Sequence, residues 1–117
     1  MSLTINTKIY KPYRQMADES RLAGPLHSMS DNDLLAIRRV FPKPVKGFLG
    51  VARPGVKITR TCTLADGTKK DAILDLGSSL PVGMTAADIL AVKSDLIAFL
   101  GTSEANELFT QLDINVA

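Results

Sequence analysis

The stretch Val56–Leu76, VKITRTCTLADGTKKDAILDL, decides how this chain folds. Two runs of alternating character flank Asp66-Gly67, and the length of the turn between them fixes which residues share a face. A two-residue Asp-Gly turn pairs Ala65 with Thr68, sets Ile58 opposite Asp75 and mixes apolar with charged side chains. A three-residue loop, Ala65–Gly67, with Gly67 in the left-handed conformation of a bulge, pairs Leu64 with Thr68 instead. Val56, Ile58, Cys62 and Leu64 then share one face with Ala72, Leu74 and Leu76. Lys57, Thr59, Thr61 and Thr63 share the other with Lys69, Asp71, Ile73 and Asp75. A slip of one residue would expose the apolar set, so the second register is expected. Cys62 falls on the apolar face, where a free cysteine behaves as a small hydrophobe, and is expected to be buried. Arg60 is the exception on that face and is expected at an edge, or reaching water along its stem.

Downstream the period changes. Thr85 with Asp88 three residues on forms a capping box, and Ile89, Val92, Leu96, Phe99 and Leu100 recur at helical spacing until Gly101 stops the helix. A second helix beginning near Thr102 or Ser103 carries Leu108, Phe109 and Leu112. Leu90 and Ile97 lie off the main stripe of the first helix, so its apolar surface is wider than one sheet contact requires. That width points to a second subunit, with Leu90, Leu96, Ile97 and Leu100 as candidate dimer contacts.

Upstream, Leu34–Phe41 (LLAIRRVF) reads as a strand ended by Pro42 and Pro44, and Lys43–Gly55 as a loop rich in Gly and Pro. Residues Met1–Asp33 begin with a short alternating run, LTINTKIYKPY, and continue as a polar segment. A strand followed by a long irregular arm is expected there. The organisation expected is a single α+β domain over residues 1–117: strand and arm over 1–33, an antiparallel sheet over 34–82, and two C-terminal helices over 85–117.

With 117 residues the chain fits one domain, and a domain of that size buries only about two thirds of its unfolded surface, so burial against a second copy would stabilise it. A composition of 45% hydrophobic and 22% charged residues indicates a folded globular chain. No apolar run is long enough for a membrane helix, and MSLTINTKIYKPYRQ lacks the apolar core of a signal peptide, so a cytosolic origin without membrane partners is expected. One cysteine, Cys62, excludes an intrachain disulfide. The net charge of +2 conceals an uneven distribution. From Leu34 to Lys70 stand nine basic residues (Arg38, Arg39, Lys43, Lys46, Arg53, Lys57, Arg60, Lys69, Lys70) against Asp66 alone. From Asp71 onwards stand seven acidic residues against Lys93 alone. A basic middle of this kind suits a polyanion-facing surface, although a solvated surface of mixed charge gives the same pattern.

Catalytic chemistry has little to stand on. The sole histidine, His27, lies in a polar segment without a carboxylate or cysteine cluster at ligand spacing and is expected to be a surface residue. The phosphate-cradling, dinucleotide-binding, zinc-protease and nucleophile-elbow motifs are all absent from the sequence. Asp71 and Asp75 share a strand face but stand about 13 Å apart at strand rise, too far to share a proton. No enzymatic activity, cofactor, metal or small-molecule substrate is expected.

A basic strand, a tight hairpin, a last strand running into a Leu-Pro step (DAILDLGSSLPVG) and two closing helices (TAADILAVKSDLIAFLG and SEANELFTQLDIN) together resemble the closing half of the coat protein of single-stranded RNA bacteriophages. The resemblance covers Leu34–Ala117, with LFTQLDIN similar to the usual chain ending. It implies a dimer in which two sheets join edge to edge and each subunit's helices cover the apolar sheet face of its partner. It also implies an icosahedral shell made in the host cytoplasm, whose inner sheet face binds genomic RNA and a hairpin that governs replicase translation. The matching inward positions are Arg38, Lys57, Thr59, Thr61, Ile73 and Asp75, with Lys69 adding charge at the edge. Lysine and arginine neutralise phosphates, and threonine hydroxyls hydrogen-bond the edges of unpaired bases. Asp75 would accept from a base amino group or pair with Lys57 opposite. Plain β-propensity on a solvated sheet also accounts for the threonines. The chain departs from the family in its short loop between the last two strands and in the lack of an evident N-terminal hairpin. A dimeric RNA- or protein-binding regulatory module that forms no shell is the alternative.

Overall fold

The computed structural model describes residues 2–114; the end of the LFTQLDIN stretch, from Asn115, lies outside them. In chain order the elements are β1 Leu3–Ile5, β2 Lys8–Gln15, β3 Glu19–Ala23, β4 Asp33–Arg38, β5 Val51–Ala52, β6 Gly55–Thr63, β7 Lys69–Gly77, β8 Leu80–Pro81, α1 Ala86–Leu100 and α2 Ser103–Gln111. The chain divides into two compact units, Met1–Val82 and Gly83–Ala117. The first holds an antiparallel sheet in the order β1-β2-β3-β4-β6-β7, with β5 and β8 paired separately; the second holds the two helices.

The central hairpin has the register that its apolar pattern demands. Val56 lies opposite Leu76, Ile58 opposite Leu74 and Thr63 opposite Lys69. The Leu64 N–H donates to the Thr68 carbonyl at 2.7 Å, and the Gly67 N–H to the Leu64 carbonyl at 2.9 Å. Gly67 sits at φ +88°, a conformation that glycine adopts without the steric cost of a Cβ. Asp66 locks the turn by accepting from the hydroxyl and N–H of Thr68 at 2.7 and 3.0 Å, and these bonds lower its pKa.

Leu35 lies opposite Ile58 and Leu22 opposite Leu35, so the apolar face continues across β4 onto β3. Its buried cluster is Tyr10, Leu22 and Leu35, with Leu3 and Ile58 packed against it. Asp33 is fully buried on the same face, opposite Arg60. Arg60 is therefore no simple edge residue: its Nε donates to Asp33 Oδ1 at 3.2 Å and its Nη2 to the Tyr10 hydroxyl at 3.1 Å. Burial disfavours the charged guanidinium, but the hydrogen bond and negative charge of Asp33, helped by Tyr10, leave the Arg60 pKa raised. Asp33 Oδ2 accepts from the Leu26 N–H at 3.2 Å. His27 is half-buried instead of a free surface residue, because its Nδ1 accepts from the Asp33 N–H at 3.3 Å and its ring meets Tyr13 edge-on. Cys62 is exposed, contrary to its pattern. The β4 ladder stops at Asp33–Arg60, so Cys62 stands on the part of the hairpin that runs past its neighbouring strand.

The N-terminal segment corrects the sequence reading most. Residues 1–33 hold three strands and the first residue of β4 in place of one strand and an irregular arm. Leu3–Ile5 and Lys8–Gln15 form a tight hairpin, with Ile5 opposite Lys8 and Asn6 and Thr7 at φ 52° and 65°. Two positive φ values are what a type I′ turn requires, and asparagine suits the first of them. Threonine in the second is β-branched and strained. Thr7→Gly is expected to stabilise the fold by about 1 kcal/mol, read as a higher urea midpoint with an unchanged m-value at fixed protein concentration. The loop between β4 and β6 is likewise less irregular than expected: β5 pairs with β8, and the Val45 and Phe48 backbones exchange hydrogen bonds at 2.8 and 2.9 Å.

In the helical unit, Thr85 caps α1 by accepting from the Asp88 N–H at 3.2 Å, and Thr102 caps α2 by accepting from the Ala105 N–H at 3.2 Å. Gly101 ends α1, and Leu112 ends α2 in the left-handed conformation. No α1 residue is buried in the single chain. Leu90, Val92, Leu96, Ile97, Phe99 and Leu100 are all exposed.

Candidate nucleic-acid interface

The sheet face opposite the apolar cluster is built by strict alternation. Successive strand residues point to opposite faces, and residues paired across a ladder point to the same one. The registers therefore align Arg21, Ala36, Lys57 and Asp75 in one row across four strands, and Ala23, Leu34, Thr59 and Ile73 in the next. Asp71 and Thr61 pair one step further along. All seven positions selected from the sequence, Arg38, Lys57, Thr59, Thr61, Lys69, Ile73 and Asp75, fall on this face.

Their local chemistry separates them into groups. Arg38 lies opposite Gly55, which lies opposite Gly77, so no side chain stands between the Arg38 guanidinium and β7. A Cβ at Gly55 would come within 2.6 Å of the Arg38 guanidinium carbon. Through that gap Arg38 pairs with Asp75 at 2.7 Å. The partner of Asp75 is thus Arg38, although Lys57 is the residue directly opposite it. Both side chains are partly exposed, which keeps the stabilisation from this pair modest.

Thr61 is committed to the fold. Its hydroxyl donates to Asp71 Oδ1 at 2.6 Å and accepts from the Asn32 N–H at 2.8 Å, while Asn32 Nδ2 reaches Asp71 Oδ2 at 3.3 Å. A hydroxyl whose proton is already used can only accept from a ligand. Lys69 is tied to Asp31 at 3.0 Å. By contrast, among the described residues Lys57 makes no ion pair and the Thr59 hydroxyl no hydrogen bond. Thr59 stands beside Ile73, which is exposed. A free ammonium, a free hydroxyl and an exposed apolar side chain on adjacent positions can neutralise a phosphate, hydrogen-bond a base edge and pack against a base face.

The sequence reading missed two sets of residues here. Asn32 connects Thr61 to Asp71 from outside the strands, and nothing in its local sequence marks it. Lys11, Arg14 and Arg21 belong to β2 and β3, where the sequence pattern predicts one strand in LTINTKIYKPY and an irregular arm after it; their registers, Lys11 with Ala23 and Arg14 with Arg21, put them on this same face. Among the described residues no group of histidine, cysteine and carboxylate side chains could hold a metal ion. No helix of the described residues is long and apolar enough to cross a membrane.

No protein-family model matches the chain, and no curated protein matches it. Solved structures do. A virus-like particle of Beihai levi-like virus 32 matches with a TM-score of 0.83 at 22% identity, over 97% of this chain and 92% of that one. A virus-like particle of Wenzhou levi-like virus 4 matches with a TM-score of 0.77 at 26% identity, over 93% and 79%. A virus-like particle of bacteriophage AVE019 matches with a TM-score of 0.77 at 17% identity, over 98% and 95%. The α+β fold, an antiparallel sheet followed by two helices, is thus the fold of chains from levi-like virus particles, and the likeness takes in the N-terminal strands that the sequence resemblance left unmatched.

Proposed function

We propose that this chain, whose fold is the one found in virus-like particles of levi-like viruses, is a non-enzymatic capsid protein of a single-stranded RNA bacteriophage. Dimers assemble into an icosahedral shell in the host cytoplasm and package genomic RNA against the sheet face that bears Lys57 and Thr59. The observation that carries the assembly reading is the amount of apolar surface the single chain leaves in water. Val56, Leu74 and Leu76 on the sheet, and Leu90, Val92, Leu96, Ile97, Phe99 and Leu100 on α1, are all exposed. Isolated soluble chains rarely leave this many large apolar side chains in water on one sheet face and one helix, and burial against a second copy removes them. β7 is an edge strand of nine residues, every one exposed, and such an edge invites pairing with another chain. In the dimer, β7 meets the partner's β7 and each α1 covers the partner's apolar sheet face through Leu90, Leu96, Ile97 and Leu100.

The RNA reading predicts a division of labour on the polar face. Lys57→Ala is expected to weaken binding to all RNA sequences and to lower the salt dependence by about one ion equivalent. Thr59→Ala is expected to leave the salt slope unchanged and to reduce discrimination between a cognate hairpin and other RNA, by about tenfold. Filter binding across a salt series checks both, and equal affinities for parent and variants would remove this face from RNA contact. Repression of replicase translation through such a hairpin belongs to the same proposal. The rival reading, a regulatory dimer without a shell, is separated by particle size, since it stops at two chains.

A further inference from the structure

We infer that the RNA-facing surface extends onto the N-terminal strands, where Arg14 and Arg21 form a second phosphate-binding pair in line with Lys57. This rests on the RNA reading of the sheet face proposed above. The register sets Arg14 directly opposite Arg21, Arg21 opposite Ala36, and Ala36 opposite Lys57. Arg14 and Lys57 are therefore three strand spacings apart, about 14 Å, on one face and in one row. Between Arg21 and Lys57 stands Ala36, which is small and leaves the row open. Lys11 lies one row away on the same face of β2.

Two arginines directly opposite each other on neighbouring strands repel, which disfavours the hairpin that holds them. The fold does little to relieve this. Among the described residues Arg14 makes no ion pair, and Arg21 has a single 3.4 Å contact with Glu19, itself on the same face. A polyanion lying along the row resolves the conflict, because its phosphates take the place of missing counter-charges. The irregularity between Pro12 and Arg14 contributes directly: the extra residue in β2 shifts the alternation so that Arg14 joins Lys11 on this face. Without the bulge, Arg14 would follow Pro12 to the apolar side. A polynucleotide suits this row better than a small anion, since the three cations stand in a line that spans four strands and a single small anion cannot reach all of them.

The test is binding of the dimeric full-length chain to a single-stranded RNA oligonucleotide over a salt series, comparing the parent with the Arg14→Gln/Arg21→Gln double variant. Each lost phosphate contact on a single strand lowers the slope of log affinity against log salt by about 0.7. The double variant is expected to lose about 1.4 from the slope, to bind at least tenfold more weakly at low salt, and to melt no lower than the parent, because a repulsive pair has been removed. An unchanged slope, with Lys57→Ala still lowering it, would overturn the extension and leave the central face intact. A parent chain that binds no RNA would overturn both.

Discussion

Ile73→Pro is expected to leave a folded chain whose dimer is at least about 30-fold weaker and whose particle yield falls with it. In an antiparallel ladder, residues alternate between pairs that exchange hydrogen bonds with each other and pairs whose backbone groups point outward. The Leu64 N–H bonds to the Thr68 carbonyl, so the Leu64–Thr68 pair is of the first kind, and counting along the register makes Thr59–Ile73 one of the second. The N–H and carbonyl of Ile73 therefore point away from β6, out of the sheet edge. Proline there removes an N–H that β6 does not use, and proline is tolerated on an edge strand with that geometry. In a β7-to-β7 dimer the change is felt twice, once in each copy. A partner carbonyl left without its donor costs about 1–3 kcal/mol, so the dimer weakens by about 2–6 kcal/mol, or about 30-fold or more. Sedimentation velocity over a dilution series, with far-ultraviolet circular dichroism to check the fold, reads the result. A variant whose dimer dissociates at the same concentrations as the parent's would contradict edge pairing through β7.

Asp33→Ala is expected to be the most destabilising single change within the sheet unit. The carboxylate is fully buried and accepts from the Arg60 guanidinium and the Leu26 N–H, so removal strands two donors at once. Each hydrogen bond to a charged acceptor contributes about 1.5–3 kcal/mol. Arg60 keeps about a third of its side-chain surface in water and recovers some hydration, which reduces the cost. A net loss of about 3 kcal/mol is expected, lowering the melting temperature by about 10 °C or more at matched protein concentration. A double-mutant cycle with Arg60→Met is expected to give a coupling of about 1–3 kcal/mol between the two sites. A loss below 1 kcal/mol for Asp33→Ala would mean that this network does not hold β2, β4 and β6 together.

The elements legible in the sequence are those whose local pattern admits one answer. The β6–β7 register was readable because the alternation of Val56, Ile58, Leu74 and Leu76 fits only the three-residue loop, and the helices because Thr85, Gly101 and Thr102 mark their ends. The N-terminal strands were not readable for equally physical reasons. Asn6-Thr7 replaces the Asn-Gly that announces a tight hairpin, Pro12 argues against a strand interior, and the bulge after it breaks the period-two pattern. β3, ESRLA, offers one large apolar side chain, Leu22. The Asp33–Arg60 pair joins residues far apart in the chain, so Arg60 looked out of place on its face until β4 was set beside β6. In the candidate site, alternation was enough to place Lys57, Thr59, Thr61, Ile73 and Asp75 together. What each side chain is free to do was not legible, because the gap at Gly55 that passes Arg38 to Asp75, and the bonds from Asn32 that occupy Thr61, depend on neighbouring strands.

The central claim is that this chain assembles with RNA, and the most direct measurement is negative-stain electron microscopy of protein expressed alone in bacteria, joined to size-exclusion chromatography with absorbance at 260 and 280 nm. Uniform spherical particles that elute near the void volume with a nucleic-acid absorbance ratio are the predicted result. A stable monomer or dimer peak, with a protein absorbance ratio and empty grids, would contradict it.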